Sequence, residues 1–145
     1  EYSMSSQLNV DTIVDKAGSG GTNVKIGNTS TYVSDGGGVT QNTVQGLCKS
    51  WINFDGTGTI AISDSHNVTS ITDDGTALYT VTIANDMANA TYALTVIGDD
   101  SGSRANTFGY AEAYAVGSFQ IRLQDDQSSS IDTDIVGCTV HGDLA

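Results

Sequence analysis

The stretch Asp73-Asp-Gly-Thr-Ala-Leu-Tyr-Thr-Val-Thr-Ile83 decides the fold class of this chain. Its first residues contain an Asp-Gly pair, which is typical of a tight hairpin turn. From Leu78 to Ile83 apolar and polar side chains alternate, so every second residue points to the same side of an extended backbone. A turn followed by strict alternation predicts an antiparallel strand that is buried on one face.

Segments of the same kind occupy the chain on both sides of this one. The expected strands are Leu47–Phe54, Thr59–Ser63, His66–Ile71 (split from the preceding one by Asp64-Ser65), Leu78–Ile83, Thr91–Ile97, Phe108–Val116, Phe119–Leu123 and Ile135–His141. Proline is absent, and the Val, Ile, Thr and Tyr content favours strands. Seven or eight antiparallel strands in about a hundred residues predict an all-β fold, a β-sandwich of the jelly-roll kind, over residues 46–145.

Residues 1–45 have a different residue pattern, with short β-prone stretches separated by glycine clusters at 18–21 and 36–38. Each stretch supplies only two or three apolar side chains, such as Leu8, Val10 and Val14, against an ordering cost of about 1–2 kcal/mol per residue. We therefore expect an extended N-terminal strand segment that is ordered only against a partner or against copies of itself. Residues 39–46 have no core pattern and are expected to be a connector.

Pooling of these stretches predicts a homotrimer. When three chains meet along an axis, each apolar stripe contacts two others, and the burial of about 25 cal/mol per Å² can then offset the ordering cost. The N-terminal segment would lie at one end of this trimer and the sandwich at the other.

The charge of the chain disfavours several partners. It carries 17 acidic and 5 basic residues, for a formal net charge of -12. Nucleic-acid binding and anionic membrane surfaces need clustered cations, whereas the five basic residues are scattered at Lys16, Lys25, Lys49, Arg104 and Arg122. No apolar run approaches the ~20 residues of a membrane span. We expect no signal peptide, because the N-terminus shows neither a basic region nor an apolar run. We expect Met4 to be the natural start and Glu1, Tyr2 and Ser3 to be a remnant added before it.

The two cysteines, Cys48 and Cys138, either form a disulfide or stay as two small core residues. The second alternative is preferred, because nothing else in the chain resembles a disulfide scaffold. His66 and His141 are isolated in the sequence, so a metal site would require symmetry to bring several copies of His141 to one axis. We expect no metal and no cofactor.

Paired aspartates occur at 73–74, 99–100 and 125–126. None has the spacing of a calcium loop, so solvated turns are the preferred interpretation, with Asp99–Ser103 the best metal candidate if one exists. The nucleophile candidates are Ser65-His66 and Cys138 near His141. No nucleophile elbow appears, and the Cys-x-x-His spacing places the two side chains on opposite faces of a strand. We expect no enzyme activity.

Aromatic residues divide into two groups. Phe108, Tyr110 and Tyr114 share strand parity, so packing in the core explains them without a ligand. Trp51 and Phe54 have opposite parity, which predicts that one of them faces an interface or the N-terminal segment. The longest loop is expected at Gly98–Asn106, a polar stretch of about nine residues.

Four segments resemble virion fibre proteins of tailed phages that infect marine bacteria. They are the opening Met4-Ser-Ser-Gln-Leu-Asn-Val-Asp-Thr-Ile-Val-Asp-Lys-Ala-Gly-Ser19, then Val44–Gly58, which contains Leu-Cys-Lys-Ser-Trp-Ile-Asn-Phe-Asp, then Thr59–Gly75, and finally Tyr79-Thr-Val-Thr-Ile83. The resemblance covers most of the chain. It implies that the N-terminal segment docks on the virion or on a neighbouring fibre protein, and that the C-terminal domain trimerises with its distal loops towards the host. No catalytic residue comes with these motifs.

The expectation is therefore a structural virion fibre protein, assembled in the host cytoplasm, that binds a host-surface glycan or protein. The candidate receptor-binding residues lie in loops 55–58, 73–75 and 98–106: Asp55, Thr57, Asp73, Asp74, Asp99, Asp100, Ser101, Ser103 and Arg104. Two alternatives stay open. One is a capsid-decorating or head fibre protein without a receptor role, and the other is a small polysaccharide-degrading enzyme.

Overall fold

A computed structural model describes residues 26, 30–33, 37–99 and 107–145 of the chain. The chain divides into two compact units, Glu1–Val44 and Gln45–Ala145. Its elements are β1 (Thr31–Val33), β2 (Thr40–Asn42), α1 (Thr43–Gly46), β3 (Ser50–Asp55), β4 (Ala61–His66), β5 (Val68–Gly75), β6 (Leu78–Ile83), β7 (Ala93–Asp99), β8 (Phe108–Ala115), β9 (Ser118–Gln124) and β10 (Ile135–His141).

The described part of the first unit is a small antiparallel hairpin of β1 and β2. Its side chains are largely exposed, and the Tyr32 hydroxyl donates a hydrogen bond of 3.0 Å to Gln41 Oε1. Residues 39–46, expected to be a connector without a core pattern, contain β2 and the single helical turn α1, neither of which has a buried residue. Backbone pairing and one polar cross-strand contact form this hairpin without any apolar pattern. The predicted stripe at Leu8, Val10 and Val14 lies outside the described residues.

The second unit, which we call the head, contains one antiparallel sheet of eight strands in the order β4-β3-β10-β7-β8-β9-β6-β5. Strands β7, β8 and β9 follow each other as neighbours, and β10 returns to lie beside β7. This spatial order is that of a Greek key.

The two edges of this sheet meet at a single residue, Asn67. It separates β4 from β5, which are the first and last strands in the sheet order. Asn67 adopts a φ of 56°, and its side-chain amide donates to Lys49 O at 3.0 Å and to Asn85 O at 3.2 Å. Because one bent strand supplies both edges, the sheet is nearly closed into a barrel.

The interior of the head is filled by the alternate residues of its strands. Those with less than about a tenth of their surface exposed are Ile52, Phe54, Ala77, Tyr79, Val81, Ile83, Met87, Tyr92, Phe119, Ile121, Leu123, Val136, Cys138 and Val140. Strands β6, β9 and β10 each contribute three inward side chains at alternate positions. Apolar burial of about 25 cal/mol per Å² along these strands is the main stabilising term of the head.

The prediction of an all-β, antiparallel fold is confirmed, but the two-layered sandwich differs from what is observed. The head has one nearly closed sheet instead of two facing sheets. Alternation reveals which side of each strand is buried, and both architectures bury one side. Among the described residues, no helix is long and apolar enough to cross a membrane.

Candidate functional site

The predicted loops 55–58 and 73–75 lie at the same end of the head, together with residues 98–99 of the predicted loop 98–106. Antiparallel pairing places the last residues of β3, β5, β7 and β9 level with the first residues of β4, β6, β8 and β10. The described connections at this end are residues 56–60, 76–77 and 125–134, and β7 ends and β8 begins here as well. We call it the loop end. The opposite end, where residues 45–49 lead into β3 and residues 142–145 leave β10, is the stem end.

Asp55 and Thr57 form a local turn at the loop end. The Asp55 carboxylate accepts hydrogen bonds from the Thr57 amide at 2.8 Å and from its hydroxyl at 2.6 Å. This geometry is an Asx-turn, which Asp favours because its side chain reaches the backbone two residues later. Both residues therefore fix the start of the 56–60 connection.

Asp73 and Asp74 lie in the last residues of β5, next to the 76–77 connection. Asp73 accepts a bond of 3.0 Å from the Gly75 amide, and Asp74 accepts from the Thr80 hydroxyl and from Gln120 Nε2. The two-residue turn itself falls at Thr76-Ala77, later than the predicted Asp-Gly pair, because Gly75 pairs with Leu78. Both carboxylates are exposed; Asp73 binds within its own strand, and Asp74 binds side chains of β6 and β9.

Asp99 is the last residue of β7 and is exposed at the loop end. Its position there is set by its pairing with Ile135 at the start of β10. The remaining candidates, Asp100, Ser101, Ser103 and Arg104, lie outside the described residues.

A buried network of hydrogen bonds connects the described loops of the loop end to one another. Tyr79 on β6 is fully buried, and its hydroxyl oxygen lies 2.7 Å from Asp132 Oδ1 and 3.0 Å from Gly56 O. The same Asp132 oxygen accepts a bond of 2.6 Å from the amide of Ala77. One phenol and one carboxylate thus join the connections 56–60, 76–77 and 125–134.

The environment keeps the Tyr79 hydroxyl protonated. Burial raises the pKa of Tyr79 far above its usual value, and the Asp132 carboxylate that accepts its hydrogen bond raises it further. Gly56 fits against this hydroxyl only because it lacks a side chain, since a methyl group there would lie 2.5 Å from the phenol oxygen. The network therefore holds a fixed geometry of hydrogen-bond donors and acceptors.

Sequence reasoning missed Asp132 and the connection that carries it. Residues 125–134 form a ten-residue connection between β9 and β10. Of the loop expected at Gly98–Asn106, the first two residues belong to β7 and residues 100–106 lie outside the described part of the chain. The only signal for the 125–134 connection in the sequence is the aspartate pair at 125–126, which predicts a solvated turn. Asp125 accepts hydrogen bonds from the amides of Gln127 and Ser129, which makes it a turn residue as predicted.

The aromatic residues of β8 are not core residues, contrary to the prediction. Phe108 and Tyr110 face outward, with 59% and 40% of their surface exposed. A register shift between Ala111 and Ala113 then reverses the parity, so that Tyr114 pairs with the buried Phe119. A β-bulge of this kind adds one residue to a strand and turns the following side chains to the other face.

Trp51 and Phe54 point to opposite sides, as their parity predicts. Phe54 is fully buried and packs edge-on against Tyr79, with ring centroids 5.1 Å apart. Trp51 lies half-buried on the outer face of β3, opposite Thr139. The outward member of the pair is therefore the tryptophan.

The described residues do not combine into a metal centre: they contain no group of three or more His, Cys, Asp or Glu residues positioned to bind an ion. His66 and His141 are both exposed, on β4 and β10. Cys48 and Cys138 are free thiols. Burial raises the pKa of Cys138 to about 12, so its thiol is protonated and unreactive.

The chain matches no protein-family model, and no curated protein and no solved structure is significantly similar to it. Arguments about function therefore rest on the placement of its residues.

Proposed function

We propose that the protein is a homotrimeric virion fibre protein whose N-terminal segment attaches it to the particle and whose loop end binds a host-surface glycan or protein. One observation supports this most directly. Candidate loops from separate parts of the sequence converge at the end of the head that lies opposite residues 45–49. An attachment segment that precedes the head then leaves the loop end directed away from the particle.

The construction of the loop end supports the same proposal. Binding loops gain affinity when their conformation is fixed before the partner arrives, because less entropy is lost on binding. The Tyr79–Asp132 network and the Asp55 and Asp125 turns fix the three described connections in this way. The exposed aspartates at their rim suit a neutral or cationic partner surface, since like charges repel.

Cell binding tests the proposal. The full-length chain, labelled with a fluorophore, is mixed with a panel of marine bacterial isolates and the bound fraction is measured by flow cytometry. Asp99→Lys and Asp126→Lys change two exposed positions at the loop end, and Asp86→Lys makes the same charge change at an exposed position of the stem end. We expect wild type and Asp86→Lys to bind the same isolate alike, and the loop-end double variant to bind roughly tenfold more weakly, a loss of about 1.4 kcal/mol.

Two outcomes would overturn this proposal. Absence of binding to every isolate, together with attachment of the chain to purified capsids, would favour the capsid-decorating alternative. Release of reducing sugars from host polysaccharide, lost in the double variant, would favour the enzyme.

A further inference from the structure

One side of the head is uncharged in a chain that is otherwise strongly acidic. It is formed by the outward residues in the middle of β3, β10, β7 and β8: Trp51, Asn53, Gly137, Thr139, Thr95, Ile97 and Phe108. We call it the lateral face. Ile97 and Phe108 are 63% and 59% exposed there, which is unusual for large apolar side chains that lie next to each other.

The lateral face has a notch and a protrusion side by side. Gly137 has no side chain, and a methyl group placed there would lie 3.1 Å from Ile97 Cγ1. Between Trp51 and Ile97 this leaves an apolar depression of about 230 Å³, with Gly137 and Cys138 as its floor. Ile97 and Phe108 project on the other side of it. A surface with both features can fit a second copy of itself.

Register decides how such copies can meet. Asn53, Gly137, Ile97 and Phe108 form one row of paired residues across β3, β10, β7 and β8. When copies are related by a threefold axis parallel to the strands, each row of one copy lies at the same height along the axis as the same row of the next copy. The same rotation brings the β7–β8 side of one copy against the β3–β10 side of the next, which is a heterologous contact that closes into a ring.

The charge distribution allows a second copy to approach at this face. A second copy also carries a net charge of -12, so two heads repel each other wherever carboxylates face one another. Across β3, β10 and β7 the rows of Trp51 and of Gly137 contain no charged side chain, whereas Asp64 on β4 borders the row of Gly137 and the next row towards the loop end contains Asp55 and Asp99. The lateral face is therefore the place where copies of this chain can approach at low electrostatic cost.

We infer that the lateral face binds a second copy of this chain in parallel orientation, with Ile97 and Phe108 of one head packed over Gly137 and beside Trp51 of the next. This inference rests on the proposed homotrimer and names the surface that forms it. All loop ends then point the same way, as a fibre tip requires. A twofold dimer on the same face whose axis lies across the strands would direct them oppositely.

Trp51 is the only tryptophan and reports directly on this contact. We expect acrylamide to quench its fluorescence several-fold more strongly in the full-length Ile97→Asp variant than in wild type at the same concentration. The matched control is Val116→Asp, which adds the same charge at an exposed apolar position at the stem end. Equal quenching of Trp51 in all three proteins would overturn the inference.

A cysteine pair tests the direction of packing. Asn53 and Ile97 both pair with Gly137, on strands to either side of β10, so they are about 9–10 Å apart within one chain. A disulfide needs Cα atoms within about 7 Å. In the Cys48→Ser background, Asn53→Cys with Ile97→Cys can therefore crosslink only between copies.

After mild oxidation we expect covalent trimers from the double variant on a non-reducing denaturing gel, and none from either single variant. Dimers formed by Ile97→Cys alone would indicate the antiparallel twofold contact and would refute the inference, as would a double variant that stays monomeric. If these tests fail while wild type still binds cells, only the lateral face is refuted. If the crosslink forms and cell binding fails, the receptor role is refuted and the contact between copies stands.

Discussion

The hydroxyl of Tyr79 provides a sharp test of how the loop end is held together. Tyr79→Phe removes one oxygen and keeps the ring, which continues to pack against Phe54. The lost hydroxyl lies 2.7 Å from the Asp132 carboxylate, and hydrogen bonds to charged groups contribute about 1.5–3 kcal/mol. Gly56 O loses its contact at 3.0 Å as well. We expect the free energy of unfolding to fall by about 2–3 kcal/mol.

Thermal and urea unfolding, followed by circular dichroism, measure this loss. For a domain of roughly a hundred residues, about 1 kcal/mol corresponds to ~4 °C or more in Tm, so we expect a decrease of about 8–12 °C. Tyr92→Phe is the matched control, because its hydroxyl contacts only the carbonyls of Ala115 and Ser118 near the stem end. Hydrogen exchange should accelerate in residues 56–60 and 125–134 for Tyr79→Phe and not for Tyr92→Phe.

The pH dependence gives a second signature of the same network. The pKa of Tyr79 is raised in the folded state, so above about pH 10 the unfolded chain loses this proton while the folded chain keeps it. Stability therefore falls as the pH rises, by about 1.4 kcal/mol per pH unit for this group. Tyr79→Phe should show a correspondingly shallower alkaline slope. A variant within about 0.5 kcal/mol of wild type, with an unchanged slope, would refute the role of the network.

Two further substitutions test the closure and the packing of the sheet. Asn67→Ala removes the amide bonds at the corner between β4 and β5 and places at a φ of 56° a residue without the hydrogen-bonding side chain that favours this backbone, so we expect urea unfolding to show a loss of about 3 kcal/mol. Asn67→Gly should lose about 1–2 kcal/mol less, and equal losses would contradict the backbone argument. Gly109→Ala places a methyl group 2.3 Å from Val96 Cγ1, so calorimetry should show a loss of about 1–3 kcal/mol. Adding Val96→Ala should recover part of that loss if the overlap is its cause.

The strands that bury one face completely were the most predictable part of the fold. The predicted and observed bounds of β6 and β10 agree, because strict alternation continues along the whole of Leu78–Ile83 and Ile135–His141. The break between β4 and β5 was predicted at Asp64-Ser65 and lies at Asn67. Both sites are polar, and only Asn67 makes the tertiary contacts that stabilise a left-handed backbone.

The local turns of the candidate site could be predicted from the sequence, whereas the contacts between its loops could not. Turn chemistry identified Asp55 and Asp73, since Asx-turns are local and depend on neighbours in sequence. Tyr79 and Asp132 are 53 residues apart, and their contact exists only once β6 and the 125–134 connection are in place. Tyr114 lies on the opposite face of β8 from the one that its parity predicts, because of a bulge that the apolar pattern of this strand does not reveal.

The mass of the full-length chain in solution tests the central claim, that three copies act together, most directly. Sedimentation equilibrium or light scattering at micromolar concentration should give a single species of three chains, each of 15.0 kDa. The same preparation should keep its mass in high salt, because screening weakens the repulsion between acidic heads. A species of one chain at all working concentrations would contradict the account.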